Sequence, residues 1–421
     1  MAGNATLRWG TTRLKASNGL LYAFRGGRAY FLPPRSIDDV DHMPLHMPYM
    51  KLFLHMEEVY GRGAEGKGAY DSGDGGGYLP NVDFLLSTED TFPTYPRIGV
   101  NDSAARRLRM LAPQFRYNKN NRSQDLLVPI FHFGHKRYDS FLLANVEAAT
   151  RLHPWAERLP IAFGRFTSYA RATLGGPGRL GADGATICAK GSCKVRDHFC
   201  EWAEKFAPPR APPPSQQRPS DASHRSSRQS DLEFPTDKAA HAMEVDRAGT
   251  KRGWWIDVSL HGKVPFMDHT LYRYLVHLDG VALSSRLEQL LTLGSLVVKE
   301  ESGLIAFYHH LLRPHEHYLP FWQQVSGPED IVPMLDWAVK HDAEARRIAH
   351  AGQAFAVRYL NAQARHCYVL WLLQGYASAL RYKPPQPRFA PDLVPLGEYV
   401  RKHVLQHDRL GRIFNESDFR H

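Results

Sequence analysis

Apolar and polar positions along this chain follow two periods. Short apolar runs closed by polar or glycine-containing turns predict strands at Val82–Ser87 (VDFLLS), Val128–Phe133 (VPIFHF), Pro160–Phe163 (PIAF) and Leu296–Val298. Further on, Ile348, Gly352, Phe355 and Tyr359 recur at helical spacing, as do Tyr368, Leu372, Tyr376 and Leu380. Buried strands alternating with amphipathic helices predict an α/β fold whose parallel sheets are covered on both faces. In open sheets of that kind, ligands collect beyond the carboxyl ends of the strands.

Two stretches break the pattern. Residues 61–77 carry so much glycine that they read as a surface loop. Residues 207–235 are rich in proline and serine and poor in large apolar side chains, so an insertion over about 207–250 cannot bury enough surface to order itself. The 421 residues suffice for two domains, and 43% hydrophobic with 23% charged content is that of an ordinary globular protein. No run of about 18 apolar residues offers a membrane span, and Met1 does not open a signal peptide. The net charge of +10 suits an acidic partner. Its lysines and arginines are scattered rather than clustered, which favours an anionic sugar nucleotide or acidic glycan over nucleic acid.

Cys188, Cys193, Cys200 and Cys367 include no C-x-x-C pair, so a zinc site is not expected. Two disulfides in a lumenal compartment are expected instead, against free thiols. Asn4, Asn101, Asn121 and Asn415 stand in N-x-S/T triplets that fit a secretory route.

The most informative stretch is Val264–Lys299. A tyrosine-rich strand with Tyr272 and Tyr274 leads to a loop at Gly280, a Ser284-Ser285-Arg286 step, a short helix and a buried strand. Backbone N–H groups at a helix start together with one forked guanidinium suit a diphosphate. The bland alternative pairs Arg286 with Glu288 on a solvated helix face. Strand alternation points Tyr272 and Tyr274 to one face, for core packing or nucleotide contact alike. Glu300 and Glu301 end the next strand, where a carboxylate could hold ribose hydroxyls. Asp268 and His269 either assist the cleft or cap a turn. His309, His310, His315 and His317 lack H-e-x-x-H spacing and read as structural.

The run from YLVHLDGVALSSRLEQLLTLGSLVVKEE through FYHHLLRPHEHYLPF, DWAVKHDAEARRIAHAGQAF and CYVLWLLQGYA resembles glycosyltransferase family 90, the capsule-associated and protein O-glucosyltransferase family. LPNVDFLLSTED, the VPIFHFGHKRYD segment and PIAFGRFTSYAR resemble it as islands, and residues 175–255 match poorly. The resemblance implies a GT-B enzyme, with two Rossmann-like halves facing across a cleft and no required metal or other cofactor. It implies transfer of a sugar from a UDP-sugar to a hydroxyl of a protein, N-glycan or wall polysaccharide, with inversion, in the Golgi or endoplasmic reticulum lumen. UDP-glucose and UDP-xylose are the expected donors, and a monomer is expected. Its alternative is a catalytically silent sugar- or peptide-binding relative.

On that reading residues 1–159 form the acceptor half, 160–385 the nucleotide half, and 386–421 a tail packing back on the junction. Asp90 is the candidate base, since an inverting transfer needs one carboxylate to take the acceptor's proton; otherwise it caps a turn. Asp139 is expected to shape the acceptor cleft. Gly164, Thr167, Ser168 and Arg171 align with the family's nucleotide-contacting segment, with Arg165 and Phe166 standing where its pattern has serine and arginine. Tyr274, Gly280, Ser284, Ser285, Arg286 and Glu300 complete the expected donor site, and Cys367 matches a structural cysteine.

Overall fold

The computed structural model describes residues 6–9, 12–15, 19–61, 78–90, 113–135, 138–172, 179–206, 256–323, 326–384, 390–408 and 410–413. The Pro/Ser-rich insertion and most of the glycine-rich loop therefore lie outside the described residues.

The strands in chain order are β1 (Thr6–Trp9), β2 (Thr12–Lys15), β3 (Gly19–Arg25), β4 (Arg28–Phe31), β5 (Val82–Ser87), β6 (Phe115–Arg116), β7 (Leu126–Leu127), β8 (Leu159–Arg165), β9 (Arg171–Ala172), β10 (Cys188–Ala189), β11 (Ser192–Cys193), β12 (Ile256–Ser259), β13 (Tyr272–His277), β14 (Leu296–Glu300), β15 (Leu319–Phe321) and β16 (Val394–Pro395). Two larger sheets carry the architecture. The first has the order β16-β4-β3-β5-β6-β7 and is mixed: β3 runs antiparallel to β4 and β5, whereas β5, β6 and β7 are parallel. The second, β12-β8-β13-β14-β15, is wholly parallel. The expectation of parallel sheets thus holds for the second and only in part for the first.

Local sequence explains these choices. Gly26 and Gly27 take φ of 52° and 75° between β3 and β4, the left-handed pair that a two-residue hairpin turn requires. Alternation in β13 and β14 sends Leu275 and Val297 to one face and Tyr274, Val276, Leu296 and Val298 to the other. The second face is covered by Phe199 of the helix Val195–Phe206 and Leu335 of the helix Ile331–Lys340. The first face is not a separate core. It joins Leu287 and Leu290 to Phe355, Val369, Phe84 and Met50 in one cluster that continues into the first sheet. The chain returns at its end to that sheet, where β16 pairs with β4 and Tyr399 lies 4.8 Å from Phe31.

Two expectations need correction. Val128–Phe133 is not a strand: the short β7 precedes it, and a helical turn, His132–His135, ends it. Tyr272 and Tyr274 do not share a face. The pairing of β13 with β8 shifts register between them, and this irregularity re-aims one side chain. Tyr272 consequently stacks on Phe163 at 3.9 Å, while Tyr274 is buried in the opposite core.

Candidate active site

Past the carboxyl ends of β8, β13 and β14, three loops converge on two buried carboxylates. Glu300 closes β14 and is wholly buried. Arg171 grips it with both terminal nitrogens at 2.6 and 2.9 Å, Arg179 approaches to 3.1 Å, and the Asp279 backbone N–H donates at 3.1 Å. Burial alone would raise the Glu300 carboxyl, but these two guanidinium groups hold it below the usual carboxylate range. Asp279, two residues past β13, accepts the Ser284 backbone N–H at 2.9 Å and the Ser302 hydroxyl. Its carboxyl also stays low, because His277, Arg171 and Lys299 outweigh its burial.

The arginines also fix the loop backbone. Arg171 donates to the carbonyls of Gly280 and Asp279, and Arg196 donates to those of Leu278, Asp279 and Thr167. These bonds draw the segment after β8 onto the Gly280 loop. Ser168 donates to Asp197 at 2.7 Å, and Thr167 is exposed beside it. A Cβ on Gly164 would come within 2.6 Å of the Phe166 ring, so glycine lets that ring fold over the strand. The Cys188–Cys193 disulfide joins β10 to β11, whose neighbour β9 carries Arg171.

Arg286 is held differently. Its Nη1 lies 3.2 Å from Nε2 of His269, and among the described residues no carboxylate pairs with it. Burial lowers its pKa. The suggested Arg286–Glu288 pair does not form: Glu288 is buried with Tyr308, and burial pushes its carboxyl up to about 7. Ser284 presents its hydroxyl to the Arg286 backbone N–H at 3.4 Å, and the Ser285 carbonyl accepts from Gln289. The helix they open, Arg286–Leu291, has six residues, so its dipole adds little.

Asp90 sits beyond β5 with an exposed side chain, and the buried Tyr117 hydroxyl donates to its Oδ1. Burial and the Asp90 charge both raise the Tyr117 pKa, which keeps that hydroxyl protonated. Glu89 instead offers its carbonyl to Arg116. From Tyr117 a short path leads to the other sheet. Lys119 exchanges backbone hydrogen bonds of 3.2 and 2.7 Å with Ile305, in the loop that carries Ser302 to Asp279.

Residues 236–403 match the family model for glycosyl transferase family 90. This stretch is a family 90 region. Protein O-glucosyltransferase 2 of Danio rerio is 35% identical over 175 residues, which is 40% of this chain and 34% of that protein. Protein O-glucosyltransferase 3 of Homo sapiens is 34% identical over 133 residues, 32% of this chain and 25% of the relative. O-glucosyltransferase rumi of Drosophila melanogaster is 31% identical over 145 residues, 33% of this chain and 35% of the relative. The chain thus matches about a quarter to a third of the length of these curated relatives. The family 90 region holds Asp279, Ser284, Ser285, Arg286 and Glu300, whereas Asp90, Asp139 and the 164–171 segment lie upstream of it.

Several expected contacts are already taken. Glu300 has no free oxygen for ribose, being saturated by Arg171, Arg179 and a backbone N–H. Arg165 pairs with Asp257 at 2.7 Å. Tyr274 is in the core. Asp139 accepts the Ala362 N–H at 2.6 Å and pairs with Arg365 at 2.8 Å, clamping the start of the helix Ala362–Ala379 rather than standing open to an acceptor. One disulfide forms where two were expected, and Cys200 and Cys367 are free thiols. Among the described residues no three His, Cys, Asp or Glu side chains group as metal ligands, and no helix is long and apolar enough to cross a membrane. Sequence reasoning missed Asp279, Arg179, Arg196 and Tyr117. Asp279 had a signal, an acid at a strand end beside Gly280; the others had none in their spacing.

Proposed function

We propose that this chain is a GT-B glycosyltransferase that moves a sugar from a UDP-sugar to a hydroxyl on a protein, with inversion and without a metal. The observation that carries this reading is Arg286: a half-buried guanidinium in the family 90 region, on the ligand-gathering edge of a parallel sheet, with no carboxylate partner among the described residues. The names of the relatives support a protein acceptor and a glucosyl donor. The Cys188–Cys193 bond suits an oxidising lumen.

In this mechanism Asp90 takes the proton of the acceptor hydroxyl as its oxygen attacks the anomeric carbon. The bond from that carbon to the diphosphate oxygen breaks, and UDP leaves with the electron pair. Tyr117 occupies Oδ1 of Asp90 and orients the carboxylate, leaving Oδ2 for the acceptor. Arg286 offsets the charge that develops on the departing diphosphate, a contribution worth about 3–4 kcal/mol for one well-placed donor.

The test is turnover of UDP-glucose and UDP-xylose with folded protein acceptors. Asp90→Asn should lower transfer by about 10²–10⁴ with UDP affinity nearly unchanged; full activity in that variant removes Asp90 from the role. The occupation of Arg165 and Glu300 by protein partners removes two expected nucleotide contacts and favours a second reading, a catalytically silent sugar- or peptide-binding relative. That reading predicts no product from any UDP-sugar on any acceptor.

A further inference from the structure

His269 is buried in the 3-10 turn Phe266–Leu271, just before β13. Its Nδ1 lies 3.3 Å from the Pro265 carbonyl, which can only accept, so Nδ1 carries the hydrogen. Burial first, and then the Arg286 charge, lower its pKa to about 4 and keep the ring neutral. Nε2 is therefore a bare acceptor, and it faces Nη1 of Arg286 at 3.2 Å. The ring has little freedom, because Phe163 meets it edge-on at 5.0 Å and Phe266 lies at 5.2 Å.

A carboxylate in this place would orient the guanidinium equally well but would cancel its charge. A neutral imidazole orients it and leaves the charge intact. We propose that His269 is a positioning residue that aims the Arg286 guanidinium at the diphosphate of a nucleotide donor while leaving its positive charge available. The target of that aim rests on the proposed function; the aim itself rests on the contacts of the imidazole.

The test is a double-mutant cycle read by calorimetry with UDP on the full chain. His269→Asn retains a group at the Nδ1 position and loses the acceptor at Nε2. It should weaken UDP binding about tenfold, the loss expected for one hydrogen bond to a charged group, with an unchanged unfolding midpoint. His269→Gln restores an acceptor near Nε2 and should stay within about twofold of wild type. In an Arg286→Ala background His269→Asn should add nothing, because it acts through that arginine. An equal loss in both backgrounds, or no loss in either, overturns the proposal. Nitrogen-15 NMR of the wild type decides independently of UDP and of how the variants fold. A neutral His269 with its hydrogen on Nδ1 and slowly exchanging Arg286 Nη hydrogens sustains the positioning role, and a hydrogen on Nε2 ends it. Wild-type protein that ignores UDP but shows the first NMR pattern defeats the functional reading and leaves the positioning role standing.

Discussion

Arg171 in β9 and Arg286 at the start of the helix Arg286–Leu291 both lie beyond the carboxyl ends of the parallel strands, and their partners differ in charge. Arg171, together with Arg179, is spent on Glu300 and on loop carbonyls inside a buried hub. Arg286 is half-buried, touches a neutral imidazole and keeps its charge. A guanidinium bound to a buried carboxylate holds structure; one held by an uncharged acceptor is available to an anion. The number of arginines near a presumed phosphate site therefore says little until each one's partner is known.

The largest effect expected from this contrast is on stability. Glu300→Gln takes from the buried Arg171 and Arg179 the carboxylate they both contact and should cost about 3–5 kcal/mol in denaturant unfolding. A fully stable variant that loses UDP binding would reverse the assignment and return Glu300 to the ligand.

A smaller effect comes from acid, which reaches both regions. Burial, as the largest cause, lowers His277 and His269 to about 4 and His309 to about 3, against 6.5 for an ordinary histidine. Below pH 6.5 the unfolded chain then binds more protons than the folded one, so stability falls as pH drops toward 4. Glu288 works in the opposite sense, because burial raises it from 4.5 to about 7 and its share of stability is lost as pH rises through that window. Burial likewise lowers His366 to about 4 and raises Asp125, so four such histidines against two carboxyls leave a net rise in unfolding midpoint between about pH 4.5 and 6.5, measurable by thermal melts in a pH series. A flat or falling profile would mean that these histidines are not buried as described.

Parts of both sheets were legible in the sequence. β5, β8 and β14 are short apolar runs, and the helices Asp342–Tyr359 and Ala362–Ala379 show their periodicity plainly. The helix Met43–Met56 was not, since Pro44 and Pro48 obscure a pattern that ends with Met47, Met50 and Phe53 in the core. Val128–Phe133 misled for the converse reason: an apolar run can be buried without pairing, and there Tyr49 takes the Pro129 carbonyl instead of a neighbouring strand. The faces of Tyr272 and Tyr274 depend on a register shift that alternation cannot foresee. At the site, Arg286 was visible through its serines and the glycine loop. Its uncharged partner, seventeen residues upstream, was not tied to it by any periodic spacing. Nor could sequence tell that Arg171 answers to Glu300, because that pairing joins two strand exits far apart in the chain.

The most direct test of the contrast is calorimetric UDP binding to folded Arg286→Ala. Affinity should fall by about 10–10², the scale of one lost charge-assisted hydrogen bond, with an unfolding midpoint equal to wild type. Unchanged affinity in a well-folded variant would place the diphosphate elsewhere and contradict the role given to Arg286.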